Sequence, residues 1–105
     1  MKIRFVYITT DSVEEAQTIG AKLVRERLAA CVNIIDSMTS IFEWEGEIES
    51  AKETTLIAKT TDSRFNTLKE RVVELHSYDV PCIVALPVEK GHAPFLRWVA
   101  ESVNG

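Results

Sequence analysis

Hydrophobic and polar positions along this chain switch repeatedly between the period of a strand and that of a helix. Lys2 to Thr10 alternates at its start and then runs apolar through Phe5-Val6-Tyr7-Ile8, the pattern of a central strand covered on both faces. From Val13 the period lengthens. Val13, Ala16, Ile19, Gly20, Leu23, Val24 and Leu28 recur at helical spacing, with Glu14, Glu15, Thr18, Lys22, Arg25 and Glu26 opposite them. Ser12 and Glu15 have the spacing of a capping box, in which the hydroxyl accepts from the third helical amide and the glutamate reaches back. Cys31 to Thr61 then reads as one long β-hairpin: both arms are rich in β-branched and aromatic residues, neither contains proline, and they meet at Glu45-Gly46, where glycine can take a positive φ. Asp62-Ser63 offers an N-cap for a second helix carrying Phe65, Leu68, Val72 and Leu75 and ending near His76. Pro81 pushes Val80 to an extended conformation, and Cys82 to Leu86 is a buried strand ended by Pro87. Gly91-His92-Ala93-Pro94 leads into a last helix burying Phe95, Trp98, Val99 and Val103.

Strand, helix, strand, strand, helix, strand is the order of an α+β, ferredoxin-like split βαβ fold, here with a C-terminal helix appended. Right-handed crossovers put the two main helices on one face of the sheet. The other face is left apolar and bare, so the last helix or neighbouring subunits must cover it. Each hairpin arm, about thirteen residues at ~3.3 Å, spans roughly 43 Å. A domain of this size has a radius of gyration near ~13 Å, so the outer half must bend or dock elsewhere. That outer half, Ser40 to Ser50, carries Ile41, Phe42, Trp44 and Ile48, too much apolar surface for a two-stranded ribbon in water. An obligate homo-oligomer is expected, with Phe42, Trp44 and Ile48 at the interface.

Composition narrows the partners. At 105 residues the chain has room for one domain, residues 1–105, with a modest core. A formal net charge of -4 without any basic stripe argues against nucleic acid. The absence of a run of about eighteen apolar residues, or of a signal-peptide pattern, argues for a cytoplasmic protein without a membrane span. Two cysteines make no disulfide framework. Four glycines are too dispersed for a phosphate-binding loop, and no Cys-x-x-Cys or His-Glu-x-x-His offers a structural zinc site.

The candidate chemistry is spread over a few residues. Cys31, where the first helix hands over to the hairpin, is either a small buried apolar residue or a soft ligand for copper or zinc. His76, at the end of the second helix, either complements the helix dipole or acts as a ligand. Tyr78 and Cys82 follow it closely, and the strand entered at Cys82 is expected near Cys31. Glu53 belongs to an acidic run with Glu43, Glu45, Glu47 and Glu49, a solvated edge or a weak source of oxygen ligands. Lys59 sits in an apolar run, so its ammonium needs solvent, a bound anion or, by default, a salt bridge. Trp44 reads as an interface anchor, and Trp98 either as core or, with Phe42, Trp44 and Ile48, as part of the interface.

Arg27-Leu28-Ala29-Ala30-Cys31-Val32-Asn33, Phe42-Glu43-Trp44-Glu45-Gly46-Glu47-Ile48, Ala58-Lys59-Thr60-Thr61, His76-Ser77-Tyr78-Asp79-Val80-Pro81 and Phe95-Leu96-Arg97-Trp98 resemble the successive signatures of the CutA family, the divalent-cation tolerance proteins. The resemblance covers nearly the whole chain. It implies an interlocked homotrimer similar in architecture to PII signalling proteins, without enzymatic activity, and linked to tolerance and binding of copper and other divalent cations. Recurrent family positions fall here on Cys31, Trp44, Lys59, His76, Tyr78, Pro81 and Trp98, several of them at a cleft between subunits. The family usually has proline where this chain has Ser77, and frequently glutamate where it has Cys82, an exchange that would favour softer metals.

Three functions follow as expectations. The first is a non-catalytic trimer binding Cu(II) or another divalent cation through Cys31, His76, Cys82 and Glu53. The second is a PII-like signalling or small-molecule module whose intersubunit cleft reads an anionic ligand with Lys59 and Tyr78 beside Trp44. The third, an enzyme with Cys31 as nucleophile and His76 as base, requires the two within hydrogen-bond reach.

Overall fold

The computed structural model describes residues 2–104. Its elements follow the expected order: β1 (Ile3–Thr10), α1 (Val13–Arg25), β2 (Cys31–Trp44), β3 (Glu47–Thr61), α2 (Asp62–Leu75), β4 (Ile83–Pro87) and α3 (Ala93–Val103). The strands form one antiparallel sheet in the order β2-β3-β1-β4. The register sets Val6 opposite Ala58 and Ile8 opposite Leu56, so these side chains share one face. There they pack with Ala16, Ile19 and Leu23 of α1 and Leu68 and Val72 of α2 to make the main core. Gly20 lets α1 lie close to β2, since a Cβ at this position would sit 2.9 Å from Val32 Cγ2. Buried hydroxyls are satisfied: Thr10 donates to the Thr54 carbonyl at 3.0 Å and Thr60 to that of Leu28 at 2.7 Å.

Both helix termini depart from the sequence expectation. Leu28 is not part of α1, which ends at Arg25. Arg27 has φ 60°, and the amides of Leu28 and Ala29 both return to the Leu23 carbonyl, at 2.9 and 3.2 Å. Leu28 thus reaches the core from a left-handed C-terminal turn, which glycine usually marks and arginine here hides. The N-cap of α2 is Thr61 rather than Asp62 or Ser63. Asp62 is engaged otherwise, its amide donating to the Lys2 carbonyl at 2.8 Å and its carboxylate pairing with Arg4 at 3.2 Å.

The hairpin turns at two left-handed residues, Glu45 (φ 51°) and Gly46 (φ 82°), the backbone of a type I′ turn. Its arms, 14 and 15 residues long, do bend. Ile35 pairs with Thr55 but Met38 pairs with Glu53, so β2 holds one extra residue at Asp36-Ser37, where Ser37 has φ 63°. Side chains alternate with period two, so a single inserted residue exchanges the faces of everything beyond it. Without the bulge, Met38, Phe42 and Trp44 would point to the helix side. With it, they share the opposite face with Glu53.

That opposite face is open over most of its extent. Ile3 alternates onto it with Phe5 and Tyr7, and α3 covers only the Ile3 end, packing Leu96, Val99 and Val103 against Ile3 and Ala30. Ile35, Val84 and Leu86 remain about half exposed. Phe95 and Trp98, expected in the core, lie instead on the next stripe of α3, exposed, with ring centroids 5.8 Å apart. Leu96, Val99 and Val103 fill the inward stripe, leaving those rings no room beneath the helix. Every residue from Ile41 to Ser50 is exposed, including Trp44 at 63% and Ile48 at 72%. The hairpin gives the subunit a long axis of 45 Å against 26 and 22 Å across.

Candidate functional site

The segment between α2 and β4 crosses the end of β1, and one imidazole fixes its path. His76 Nδ1 accepts from the Tyr78 amide at 3.0 Å, so that nitrogen carries no proton. The proton therefore sits on Nε2, which donates to the Thr9 carbonyl at 2.7 Å. The side chain is fully buried. Neither nitrogen retains a lone pair for a metal, and the role of His76 here is to hold the segment against β1.

Glu15 braces the same segment from α1. Ser12 caps the helix as expected, accepting from the Glu15 amide at 3.1 Å. The Glu15 carboxylate reaches back one residue beyond the cap to the Asp11 amide at 2.9 Å, and across to the Ser77 amide at 2.8 Å. Burial alone would raise its pKa, but the hydrogen bonds from Asp11 and Ser77 outweigh that and hold it below the ordinary glutamate value. A carboxyl group depressed by folding stabilises the native state above its unfolded-chain pKa, and loses that contribution as pH falls through the folded value. Glu15→Gln is therefore expected to cost about 1–2 kcal/mol at pH 7 and to flatten the loss of stability below about pH 5; urea denaturation at pH 7 and pH 4 measures both.

Tyr78, held by its amide, crosses to the open face and donates its hydroxyl to Glu53 Oε2 at 2.8 Å. Burial first, and then the Glu53 carboxylate, push the phenol well above its usual range, so it stays a protonated donor. Tyr78 and Glu53 form the floor of a cavity of about 770 Å³ between the segment and the outer hairpin. Phe42, Trp44, Val80 and Cys82 line its walls, with Thr9, Ser40, Ile41, Ala51 and Asp79 completing them. The bulge at Asp36-Ser37 is what turns Phe42 and Trp44 toward it.

Four of the residues singled out in the sequence, Trp44, Glu53, Tyr78 and Cys82, thus meet at one cavity. Cys31 and Lys59 do not join them. Cys31 pairs with Lys59 in the ladder, and Lys59 with Phe5, which places Cys31 about four residues, roughly 13 Å, along the strands from the Thr9 level of His76. Cys31 also lies on β2 at one edge of the sheet, whereas Cys82 precedes β4 at the other. The expected proximity of Cys31 to Cys82 fails because β4 adds beside β1, and a Cys31–His76 catalytic pair is excluded within one subunit. Lys59 makes no salt bridge among the described residues. It is 7% exposed, with its ammonium 5.6 Å from the Phe5 ring centroid. No group of three or more His, Cys, Asp or Glu side chains among the described residues is arranged to hold a metal ion.

Sequence reasoning missed Thr9, Ser40, Asp79 and Val80 as lining residues and Glu15 as the brace. Glu15 was visible as a helix cap, but its bond to Ser77 spans 62 positions and depends on how α1 and α2 sit together.

A family model described as CutA1 divalent ion tolerance protein matches residues 4–102. The divalent-cation tolerance protein CutA of Thermus thermophilus is 52% identical over 99 residues, which cover 94% of this chain and 96% of that protein. Its counterpart in Archaeoglobus fulgidus is 46% identical over 100 residues, covering 95% and 97%. The solved structure of that A. fulgidus protein, described as a periplasmic divalent cation tolerance protein, superposes with a TM-score of 0.94 at 45% identity, covering 97% of this chain and 99% of the other.

Proposed function

Because this chain belongs to the CutA1 divalent ion tolerance protein family, we propose that it serves divalent-cation tolerance, copper foremost, as a non-catalytic homotrimer. The observation that carries the assembly is the outer hairpin, exposed from Ile41 to Ser50 although it holds Ile41, Phe42, Trp44 and Ile48. Beside it stands the open sheet face with Ile35, Val84 and Leu86. Surface of this kind is stable in water when another copy covers it, and closed symmetry lets each hairpin finish the sheet of a neighbour. For the metal, the exposed Cys82 thiol and the Glu53 carboxylate share the cavity, and Cys31 is half-buried at the foot of β2. A soft thiolate beside oxygen donors favours copper over magnesium or calcium. Because no three such donors converge among the described residues of one chain, the reading has a complete site drawing on more than one copy.

Calorimetric titration with Cu(II) tests the metal part. Cys82→Ser and Glu53→Gln are each expected to weaken binding by roughly tenfold or more, on the scale of losing a group that sets metal affinity, whereas Ser77→Ala leaves it unchanged. Equal copper affinity in wild type and both variants would remove the cavity from the metal site.

A further inference from the structure

The His76 side chain is fully buried inside a single chain, so its partners are set within the subunit, whatever covers the outer hairpin. Both ring nitrogens are used in a way that only a neutral imidazole allows: Nε2 donates to the Thr9 carbonyl at 2.7 Å and Nδ1 accepts from the Tyr78 amide at 3.0 Å. A second partner stands beside Nδ1. Glu15 Oε2, which accepts from the Ser77 amide at 2.8 Å, lies 4.0 Å from that nitrogen, and a carboxylate oxygen can accept more than one hydrogen bond. The remaining groups around the ring are Tyr78, with ring centroids 4.7 Å apart, Glu53 of β3, bound to the Tyr78 hydroxyl, and Asp11 after β1, whose amide donates to Glu15. None of the three carboxylates forms a salt bridge with lysine or arginine among the described residues. A proton arriving on Nδ1 turns that nitrogen from acceptor to donor. Facing the Tyr78 amide it would set two donors against each other, whereas toward Glu15 it makes a charge-assisted hydrogen bond.

We infer that His76 is a pH-operated latch: on gaining a proton at Nδ1 it passes from the Tyr78 amide to the Glu15 carboxylate and frees residues 78–81 from the end of β1. Ser77 stays tied to Glu15, so the movement begins at Tyr78, whose hydroxyl carries it to Glu53. The latch goes beyond the metal-tolerance and assembly readings and needs neither, since every group in it belongs to one subunit. Imidazole is the side chain whose charge changes between about pH 8 and pH 5. Glu15 keeps its charge over that range: burial raises its pKa, but the hydrogen bonds from Asp11 and Ser77 outweigh this and hold it below the ordinary glutamate value.

The experiment uses the purified full-length protein in its native assembly, compared at about pH 7.5 and about pH 5. Amide hydrogen exchange, corrected for the intrinsic effect of pH on the exchange rate, reports the Tyr78 amide, and nitrogen-proton magnetic resonance of the imidazole reports its protonation. The Tyr78 amide is expected to lose about tenfold or more of its protection at the lower pH, in step with proton uptake by His76, while the amides of Val6 and Ile8 in β1 keep theirs. Glu15→Gln retains acceptors for Asp11 and Ser77 without the charge, and is expected to move both changes to lower pH. His76→Asn places an oxygen that can accept from the Tyr78 amide and takes no proton, and is expected to abolish the step even though it lowers stability. Equal protection of Tyr78 at both pH values, or a step that survives in His76→Asn, would overturn the inference. So would a step abolished in Glu15→Gln, which would make Glu15 the titrating group, and a uniform loss at Val6, Ile8 and Tyr78, which would mean general unfolding.

Discussion

Replacing Phe42 and Trp44 together by serine is expected to dissociate the protein into single subunits at micromolar concentration. Both rings lie beyond the Asp36-Ser37 bulge, on the face that the bulge turns away from the helices, and they are 44% and 63% exposed in the isolated subunit. Neither packs in the core, so their removal leaves the main cluster around Val6, Ile8, Leu56 and Leu68 intact. A large aromatic anchor at the centre of an interface commonly accounts for 2 kcal/mol or more, so the pair removes about 4 kcal/mol from each contact. In a closed trimer that loss is repeated at every contact, lowering the association constant by several powers of ten. Sedimentation velocity checks the result directly. The far-ultraviolet circular dichroism of the inner sheet and helices should persist, because those elements bury their own apolar residues.

His76→Ala is expected to destabilise the subunit by about 3 kcal/mol. The substitution strands two backbone groups, the Thr9 carbonyl and the Tyr78 amide, that the imidazole now satisfies at 2.7 and 3.0 Å. An unpaired buried polar group costs about 1–3 kcal/mol, and a void the size of an imidazole adds to it. Water entering the void would recover part of the loss. The Tyr78 hydroxyl is also expected to leave Glu53, because only the amide anchor holds residue 78 over the end of β1. A shift of the urea midpoint measures the first effect. Restoration of normal, solvent-exposed tyrosine ionisation on alkaline titration of absorbance reports the second, since burial and Glu53 now hold the phenol proton well above its ordinary range. Were His76 instead a metal ligand, the variant would lose copper binding while keeping its stability; the geometry predicts the opposite pattern.

The parts of the fold legible in the sequence were those set by local chemistry. Apolar periodicity located every strand and helix, Ser12 and Glu15 marked a helix start, and Glu45-Gly46 marked the turn. Left-handed backbone at arginine and serine was not legible, because Arg27 and Ser37 carry no glycine signal, and both decide where neighbouring side chains point. The bulge at Ser37 is the costlier omission. It determines which face Phe42 and Trp44 occupy, and hence whether a cavity exists beside Glu53.

The site was legible as a set of residues more than as an arrangement. Trp44, Glu53, Tyr78 and Cys82 were singled out separately and the fold brings them to one place. Cys31 was grouped with His76 and Cys82 on nearness in the chain order of elements, but the sheet order β2-β3-β1-β4 sets β2 and β4 at opposite edges. His76 shows why residue type alone misleads: an imidazole is equally suited to a metal or to two backbone groups, and only the positions of Thr9 and Tyr78 choose between them. Trp98 was read as core or interface from its place in the last helix. The inward stripe of α3 belongs instead to smaller residues, Val99 and Val103.

The exposure of the hairpin and of the sheet face is what carries the proposal that copies cover each other in solution. Sedimentation equilibrium of the wild-type chain at micromolar concentration tests it most directly. A single species at three times the subunit mass of 11.8 kDa, unchanged on tenfold dilution, is the predicted result. A folded, soluble species at 11.8 kDa under the same conditions would contradict it.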